Sequence, residues 1–223
     1  MDLWEAMQAR HSVRQYTDRA IEPEKADALR RLCEEVNAAS GLHIQPVFDE
    51  PQAFAGGLAR YGRFDGVRNY FAIVGPPGRE RAVGYYGERL VLEAQRLGLN
   101  TCWVALTFQK KKAVYTLNAG EKFYMVIALG YGVHAGTPHR NRPAEKLADL
   151  PADTPDWVRR GVAGALLAPT AMNQQKFRFV WDGKTVSVTA GRGAYTAVDL
   201  GIVQAHFDAA CGRPVFEPGR ESA

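Results

Sequence analysis

Apolar residues recur at helical spacing through the first hundred positions. Residues 2–9 are predicted to form a short helix, and Pro23 suits the first turn of an amphipathic helix over 23–38. The same period returns over 80–98 and predicts a long helix, with Gly98 at its C-terminal cap. Helices therefore account for much of this part of the chain.

Short apolar runs between these helices predict strands. One run covers 70–75 and ends in Gly75-Pro76-Pro77-Gly78, and a second covers 123–129. Residues 40–66 mix Gly, Pro and polar residues and are predicted to be mostly irregular, and a short helix is expected around 110–116.

A second set of elements follows a connector, residues 133–155, rich in Pro, His and Arg. Residues 158–167 are predicted to be helical, and 177–181 and 185–190 to pair as a hairpin around Asp182-Gly183. An amphipathic helix over 196–211 closes the pattern, with one face formed by Val198, Ile202, Ala205 and Ala209. Helices mixed with a modest sheet indicate an α+β protein.

Composition excludes several classes of function. The chain has 223 residues, a net charge of +4 and three widely spaced cysteines, so we expect a reduced, cytoplasmic protein without a disulfide scaffold. We see no signal peptide, apolar membrane span or metal-ligand spacing. The arginines are too dispersed, without interleaved aromatic residues, to favour a nucleic-acid partner.

Two basic clusters are candidates for anion binding. Arg10, His11, Ser12 and Arg14 place two guanidiniums, an imidazole and a hydroxyl within five positions. Arginine forks match the oxygens of a phosphate. Arg140 and Arg142 form a second cluster that could complete such a pocket. Taken alone, the first cluster is a weak motif that favours a solvated basic turn, and the second could be ordinary surface charge.

A polar turn follows the helix predicted over 158–167, because Pro169 ends that helix. The turn carries Thr170, Asn173 and Gln175. Side-chain amides donate and accept hydrogen bonds, which is what reading the edge of a flavin ring requires. The alternative is a loop whose amides face water.

The order of these segments resembles that of the nitroreductase family of flavoproteins. The resemblance lies in five short motifs along most of the chain, namely Arg10-His11-Ser12-Val13-Arg14-Gln15-Tyr16, Leu97-Gly98-Leu99-Asn100-Thr101-Cys102-Trp103, Ala128-Leu129-Gly130-Tyr131-Gly132, Arg140-Asn141-Arg142-Pro143 and Ala168-Pro169-Thr170-Ala171-Met172-Asn173-Gln174-Gln175. It implies a nitroreductase-like fold with a central antiparallel sheet flanked by helices.

The last motif stands in an unusual place. In ordinary family members it follows the first motif by about one helix, but that slot here holds 36–42, without the Asn and Gln. The resemblance therefore implies a single-chain pseudo-dimer. Residues 1–150 would be the main flavin-holding half, 155–213 a shortened partner half and 214–223 a tail, and the protein would be a monomer or a homodimer.

The family also implies a cofactor and a reaction. FMN would be bound and NADH or NADPH would deliver hydride to it, for transfer to a nitroaromatic, a quinone or a related small-molecule acceptor. Because the flavin carries the chemistry, no side chain is expected to be catalytic. The residues implied in cofactor binding are Arg10, His11, Ser12, Arg14, Trp103, Val104, Ala105, Arg140, Arg142, Pro169, Thr170, Asn173 and Gln175.

Other functions stay open from the sequence. Members of the broader fold dehalogenate, desaturate or consume their own flavin, and the loops that would choose the substrate, such as 40–66, cannot be interpreted. The displaced motif is also compatible with a flavin carrier or ligand-binding protein that has no reductase turnover. Reduction of bound FMN by a nicotinamide would separate these two classes.

Overall fold

The elements follow the chain in a mixed order of helices and strands. The computed structural model describes residues 1–218. Its α-helices are α1 Leu3–Ala9, α2 Pro23–Ser40, α3 Gly57–Tyr61, α4 Glu80–Arg96, α5 Ala144–Leu147, α6 Asp156–Ala165 and α7 Thr196–Cys211. Its strands are β1 Gln45–Val47, β2 Asn69–Gly75, β3 Asn100–Val104, β4 Lys122–Gly130, β5 Ala148–Asp149, β6 Phe177–Trp181 and β7 Val186–Ala190. The α+β prediction is confirmed.

The chain divides into two units. The first unit contains Met1–Gln8, Glu80–Arg89 and Pro138–Ala223. The second unit contains Ala9–Arg79 and Leu90–Thr137. The division into 1–150 and 155–213 as main and partner halves stays a prediction.

An antiparallel sheet organises the second unit. Its strand order is β1-β2-β4-β3, with β4 paired to both β2 and β3. The inner strands β2 and β4 are almost wholly buried, as their near-continuous apolar sequences predict. Tyr16, Phe54, Phe64 and Phe108 pack into the core on one side of this sheet. The predicted antiparallel sheet is confirmed.

Close helix packing organises the first unit. A Cβ on Gly161 would lie 2.5 Å from the Phe207 ring, and one on Gly164 would lie 2.3 Å from the Ala210 methyl group, so α6 and α7 can approach only because glycines stand there. Gly201 likewise brings α7 against the backbone of Arg81 in α4. A three-stranded sheet, β5-β6-β7, completes this unit.

The prediction of one apolar face on the last helix is wrong. Helix α7 is buried on nearly every side, including its polar residues Gln204, His206 and Asp208. Its polar positions find partners inside the unit: His206 lies 2.8 Å from the Glu88 carboxylate, and Arg81 donates to Gln204. The polar residues of α7 therefore do not form a solvent-exposed face.

Predictions for the irregular segments have mixed outcomes. Residues 40–66 are mostly irregular, as predicted, and contain only strand β1, helix α3 and a 3-10 turn, Gln52–Phe54. The helix expected around 110–116 is wrong, because only a 3-10 turn, Lys110–Lys112, forms there. The connector 133–155 holds α5 and β5, and β5 pairs in parallel with β6. These elements have two to five residues, too few to show a hydrophobic period.

The predicted hairpin is confirmed with a small shift at its turn. Trp181 pairs with Val186, and residues 182–185 form the connection. The Asp182 carboxylate accepts the backbone N–H groups of Lys184 and Thr185 there. Gly183 has φ 91°, a conformation that favours glycine.

The predicted tail begins with packed residues. The Phe216 ring lies 5.1 Å from Phe207 and 6.1 Å from Phe179, and its N–H donates to the Asp208 carboxylate. The first part of 214–223 is therefore anchored to the core of the first unit. Residues 219–223 lie outside the described residues.

Candidate functional site

The segment Arg10–Arg14 is fixed by backbone contacts in the second unit. Ser12 forms a parallel bridge with Thr101 at the start of β3, and the Val13 N–H donates to the Thr101 carbonyl at 3.0 Å. The Arg14 carbonyl accepts the N–H of Asp65. The segment thus lies along the edge strand of the sheet, where its alternate side chains point in opposite directions.

The three side chains of residues 12–14 alternate in exposure. Val13 is buried, whereas Ser12 and Arg14 are exposed. The Arg14 guanidinium lies over the Phe64 ring, 5.9 Å from its centroid. Among residues 1–218, no carboxylate forms an ion pair with Arg14. An anion could therefore pair with Arg14 without displacing a carboxylate.

Arg10 and His11 are less accessible than these neighbours. Arg10 is 3% exposed, and His11 is half-buried with its Cβ 2.7 Å from the position of a Cβ on Gly136. Burial raises the pKa of the neighbouring Cys102 thiol, and the charges of Arg14 and Arg10 and a hydrogen bond from Ser12 oppose that rise. The Cys102 thiol therefore lies close to two positive charges, those of Arg10 and Arg14.

The three predicted residues at the end of β3 follow the same sheet. Trp103 pairs with Ile127 and Val104 with Val126. Val104 is buried, whereas Trp103 and Ala105 are half-buried. Ala105 follows the last residue of the strand, where the chain bends away from the ladder and its backbone groups leave the sheet pairing.

The second predicted segment, residues 170–175 in the first unit, forms an unusual turn. Met172, Asn173 and Gln175 have φ values of 51°, 52° and 43°, which non-glycine residues rarely adopt. Such conformations cost on the order of 1–3 kcal/mol each and persist where their surroundings hold them. The turn starts at Thr170, whose hydroxyl accepts the Gln175 N–H at 3.0 Å.

The turn binds the backbone of the Arg140–Arg142 segment through its amides. Gln175 Nε2 donates to the Arg140 carbonyl at 2.7 Å and to Asn173 Oδ1 at 2.7 Å. Gln175 Oε1 accepts the Arg142 N–H at 2.9 Å, and Asn173 Nδ2 donates to the Arg140 carbonyl at 2.9 Å. Gln175 is only 3% exposed, and both its N–H donors have protein acceptors. A direct contact of this side chain with a flavin edge stays a prediction.

These hydrogen bonds leave the arginine side chains at the surface. Arg140 and Arg142 are both exposed, and neither forms an ion pair with a carboxylate in the described part of the chain. A fixed backbone that carries two such guanidiniums is chemically suited to a phosphate. Pro169 and Thr170 are half-buried at the start of the turn. The donor set of each unit therefore fits part of an FMN molecule.

The sequence interpretation missed the group that holds this turn. Asp199, in the first turn of α7, accepts the Ala171 N–H at 2.8 Å and Gln174 Nε2 at 2.6 Å. Burial raises the pKa of Asp199, and these two donors oppose that rise. The sequence feature that could have pointed to Asp199 is a single carboxylate between apolar residues, Val198-Asp199-Leu200.

Two other kinds of feature are absent from the described residues. No group of three or more His, Cys, Asp and Glu side chains within 1–218 is arranged to hold a metal ion. In the same range, none of the helices combines the length and the apolar character that crossing a membrane would require.

Comparison with known proteins relates the chain to nitroreductases. The sequence model of the family described as Putative TM nitroreductase matches residues 2–211. No curated protein is significantly similar to the chain in sequence. A structure described as a putative nitroreductase from Thermotoga maritima superposes with a TM-score of 0.70 at 20% identity, covering 94% of this chain and 83% of that one.

Smaller structures of the same fold match part of the chain. A putative nitroreductase from Desulfovibrio desulfuricans, in complex with FMN, has a TM-score of 0.51 at 24% identity, over 67% of this chain and 96% of that one. A nitroreductase family protein from Streptococcus pneumoniae has a TM-score of 0.51 at 14% identity, over 65% and 98%. These likenesses confirm the predicted nitroreductase-like fold.

Proposed function

Because the chain belongs to the Putative TM nitroreductase family, we propose that it is an FMN-dependent oxidoreductase. It transfers hydride from NADH or NADPH, through the flavin, to a nitroaromatic, a quinone or a related acceptor. The FMN complex of the Desulfovibrio structure supports the choice of cofactor. When bound, FMN supplies the redox chemistry, and no side chain is proposed as an acid or base.

The observation that carries this proposal is that three arginines are exposed and form no ion pair with a carboxylate of the described residues. Arg14, Arg140 and Arg142 are exposed, stand on backbone segments fixed by hydrogen bonds, and have no carboxylate partner among residues 1–218. A planar guanidinium fork matches two phosphate oxygens at once. Each unit therefore carries candidate ligands for the phosphate of FMN: Arg14 with Ser12 and Arg10 in the second unit, and Arg140 with Arg142 in the first.

The remaining assignments follow from the family resemblance. The backbone around Trp103, Val104 and Ala105 would face the flavin ring, and Asn173 would contact its edge, with Thr170 nearby. Gln175 would act through the Arg140–Arg142 backbone that it already binds. Donors aimed at the ring would stabilise negative charge on the reduced flavin.

We also propose that one chain builds the equivalent of a family dimer. Residues 1–150 would be the main half, 155–213 the shortened partner half and 214–223 the tail. One FMN per chain in a protein that sediments as a monomer would support this arrangement. One FMN per two chains in a stable dimer would contradict it.

The visible absorption spectrum of the purified protein tests the proposed function. We expect a flavin band, release of FMN by heat, and bleaching of the band by NADH or NADPH under anaerobic conditions. Addition of a nitroaromatic or a quinone should restore the band. A colourless protein that does not bind added FMN would rule the proposal out, and bound FMN that neither nicotinamide reduces would leave only a flavin carrier.

A further inference from the structure

Helix α7 carries a buried carboxylate that faces the strained turn. Asp199 is 6% exposed, and its two oxygens accept different donors: the Ala171 N–H at 2.8 Å and Gln174 Nε2 at 2.6 Å. A buried carboxylate is costly unless donors compensate it, and these two donors provide that compensation. Gln174 Nε2 also donates to the Ala194 carbonyl, just before α7.

The two donors flank the residues with unfavourable backbone angles. Ala171 and Gln174 enclose Met172 and Asn173, both of which have positive φ. A segment with this conformation relaxes unless contacts on either side hold it. Asp199 provides those contacts from a rigid helix of 16 residues.

The held turn in turn fixes the arginine segment. Asn173 and Gln175 both donate to the Arg140 carbonyl, and Gln175 accepts the Arg142 N–H. A continuous series of hydrogen bonds therefore runs from Asp199, through the turn, to the backbone that carries Arg140 and Arg142. All of these residues lie in the first unit.

We infer that Asp199 is a positioning residue for FMN binding: it holds the 171–175 turn so that Arg140 and Arg142 are presented to the cofactor. This inference rests on the proposed function. Asp199 itself needs no contact with the flavin, because its effect passes through Asn173 and Gln175.

The test compares two buried aspartates of the same helix. Asp199→Asn keeps the size of the side chain but gives it an N–H₂ group that must face a donor, either Ala171 N–H or Gln174 Nε2. Asp208→Asn is the matched control. Asp208 is also 6% exposed, but it binds the Tyr85 hydroxyl and the Phe216 N–H, away from the turn.

Two measurements are made on each full-length variant. Hydrogen exchange followed by mass spectrometry should show faster exchange at 138–143 and 170–176 in Asp199→Asn, and faster exchange near 213–216 in Asp208→Asn. Titration with FMN should give a dissociation constant raised about tenfold in Asp199→Asn, the loss expected for one charge-assisted hydrogen bond, and unchanged in Asp208→Asn.

The outcomes separate the inference from the proposed function. Wild-type protein that binds no FMN overturns the proposed function and the role of Asp199 with it. Wild-type protein that binds FMN while Asp199→Asn binds equally well overturns the inference alone, and so does an equal loss of affinity in both variants. If Asp199→Asn does not fold, Gln174→Met takes its place. It removes the 2.6 Å contact with Asp199 and the contact with the Ala194 carbonyl but keeps the contact between Asp199 and the Ala171 N–H, and it must give the same pattern of exchange and a smaller loss of affinity.

Discussion

The two arginine-bearing segments of the candidate site are held in different ways. Arg10–Arg14 lies along a sheet, and backbone groups of Thr101 and Asp65 fix it. Arg140–Arg142 has no regular structure, and the side chains of Asn173 and Gln175 fix it instead. The first segment depends on backbone pairing that many sequences could provide, whereas the second depends on two particular amides and the strained turn beneath them.

The two segments should therefore respond differently to substitution. In the first segment, replacing an exposed arginine should change affinity for an anion and leave the fold intact. In the second, replacing a buried amide should change the fold locally and affinity as a consequence.

We expect the largest effect from Gln175→Leu. This change keeps the volume but removes three hydrogen bonds, those to the Arg142 N–H, the Arg140 carbonyl and Asn173 Oδ1, although the Arg140 carbonyl keeps its bond from Asn173 Nδ2. Each hydrogen bond contributes about 0.5–1.5 kcal/mol net, so we expect a loss of about 3 kcal/mol in the free energy of unfolding. Chemical denaturation measures it.

Limited trypsin digestion shows where this variant loosens. Arg142 precedes Pro143, so the Arg140–Asn141 bond is the one in this segment that trypsin can cut, and Gln175→Leu should accelerate that cut. Gln15→Leu is the control, because Gln15 is an exposed glutamine of the sheet-bound region. Similar losses in both variants would remove the contrast between the segments.

The second largest effect is expected from Gly136→Ala, which tests the first segment. Gly136 has φ 83°, and a Cβ there would lie 2.7 Å from the His11 Cβ. We expect a loss of about 2–3 kcal/mol from left-handed strain and the clash together. Gly78→Ala is the matched control, since Gly78 also has φ 83° but nothing within 4 Å. Equal losses of stability would mean that the His11 contact does not constrain the segment.

The same contrast decides what could be predicted from sequence. Long periodic elements such as α2, α4 and β4 were predicted within a few residues, because many side chains repeat one pattern. Anion binding by Arg14 and Arg142 could be predicted, because each arginine lies in a short charged motif that is recognised from neighbouring residues alone. The role of Asp199 was not visible, because it depends on a turn that lies 25 or more residues away in sequence.

The buried side chains of α7 show a second limit. The sequence pattern of this helix predicts one apolar face, but Glu88 and Tyr85 of α4 provide partners for His206 and Asp208. Burial raises the pKa of Asp208 to about 6. The hydrophobic period of a helix depends on the residues of that helix alone, so it gives no information about polar partners on another element.

A smaller effect is expected when charge is removed from both segments. Arg14→Ala combined with Arg142→Ala should raise the dissociation constant of FMN about ten- to a hundredfold, because two charge-assisted contacts are lost. The unfolding free energy should change by less than about 0.5 kcal/mol, as for other surface positions. Fluorescence titration and thermal unfolding measure the two quantities.

The control for that variant removes the same charge elsewhere. Arg31 and Arg60 are exposed arginines outside the candidate site, and their joint replacement by Ala should leave FMN affinity almost unchanged. If both double variants weaken binding equally, the affinity reflects net charge and the phosphate assignment is wrong.

The smallest effect is expected from relieving the strain of the turn. Met172 is 88% exposed and has φ 51°, so its side chain loses little burial in Met172→Gly, and glycine adopts this conformation without penalty. We expect the variant to gain about 0.5–1 kcal/mol in stability. Ala171→Gly, next to it at a residue without positive φ, should instead lose stability. A loss in Met172→Gly as well would show that the turn is not strained at this position, and that Asp199 and the two amides hold a conformation that the chain already prefers.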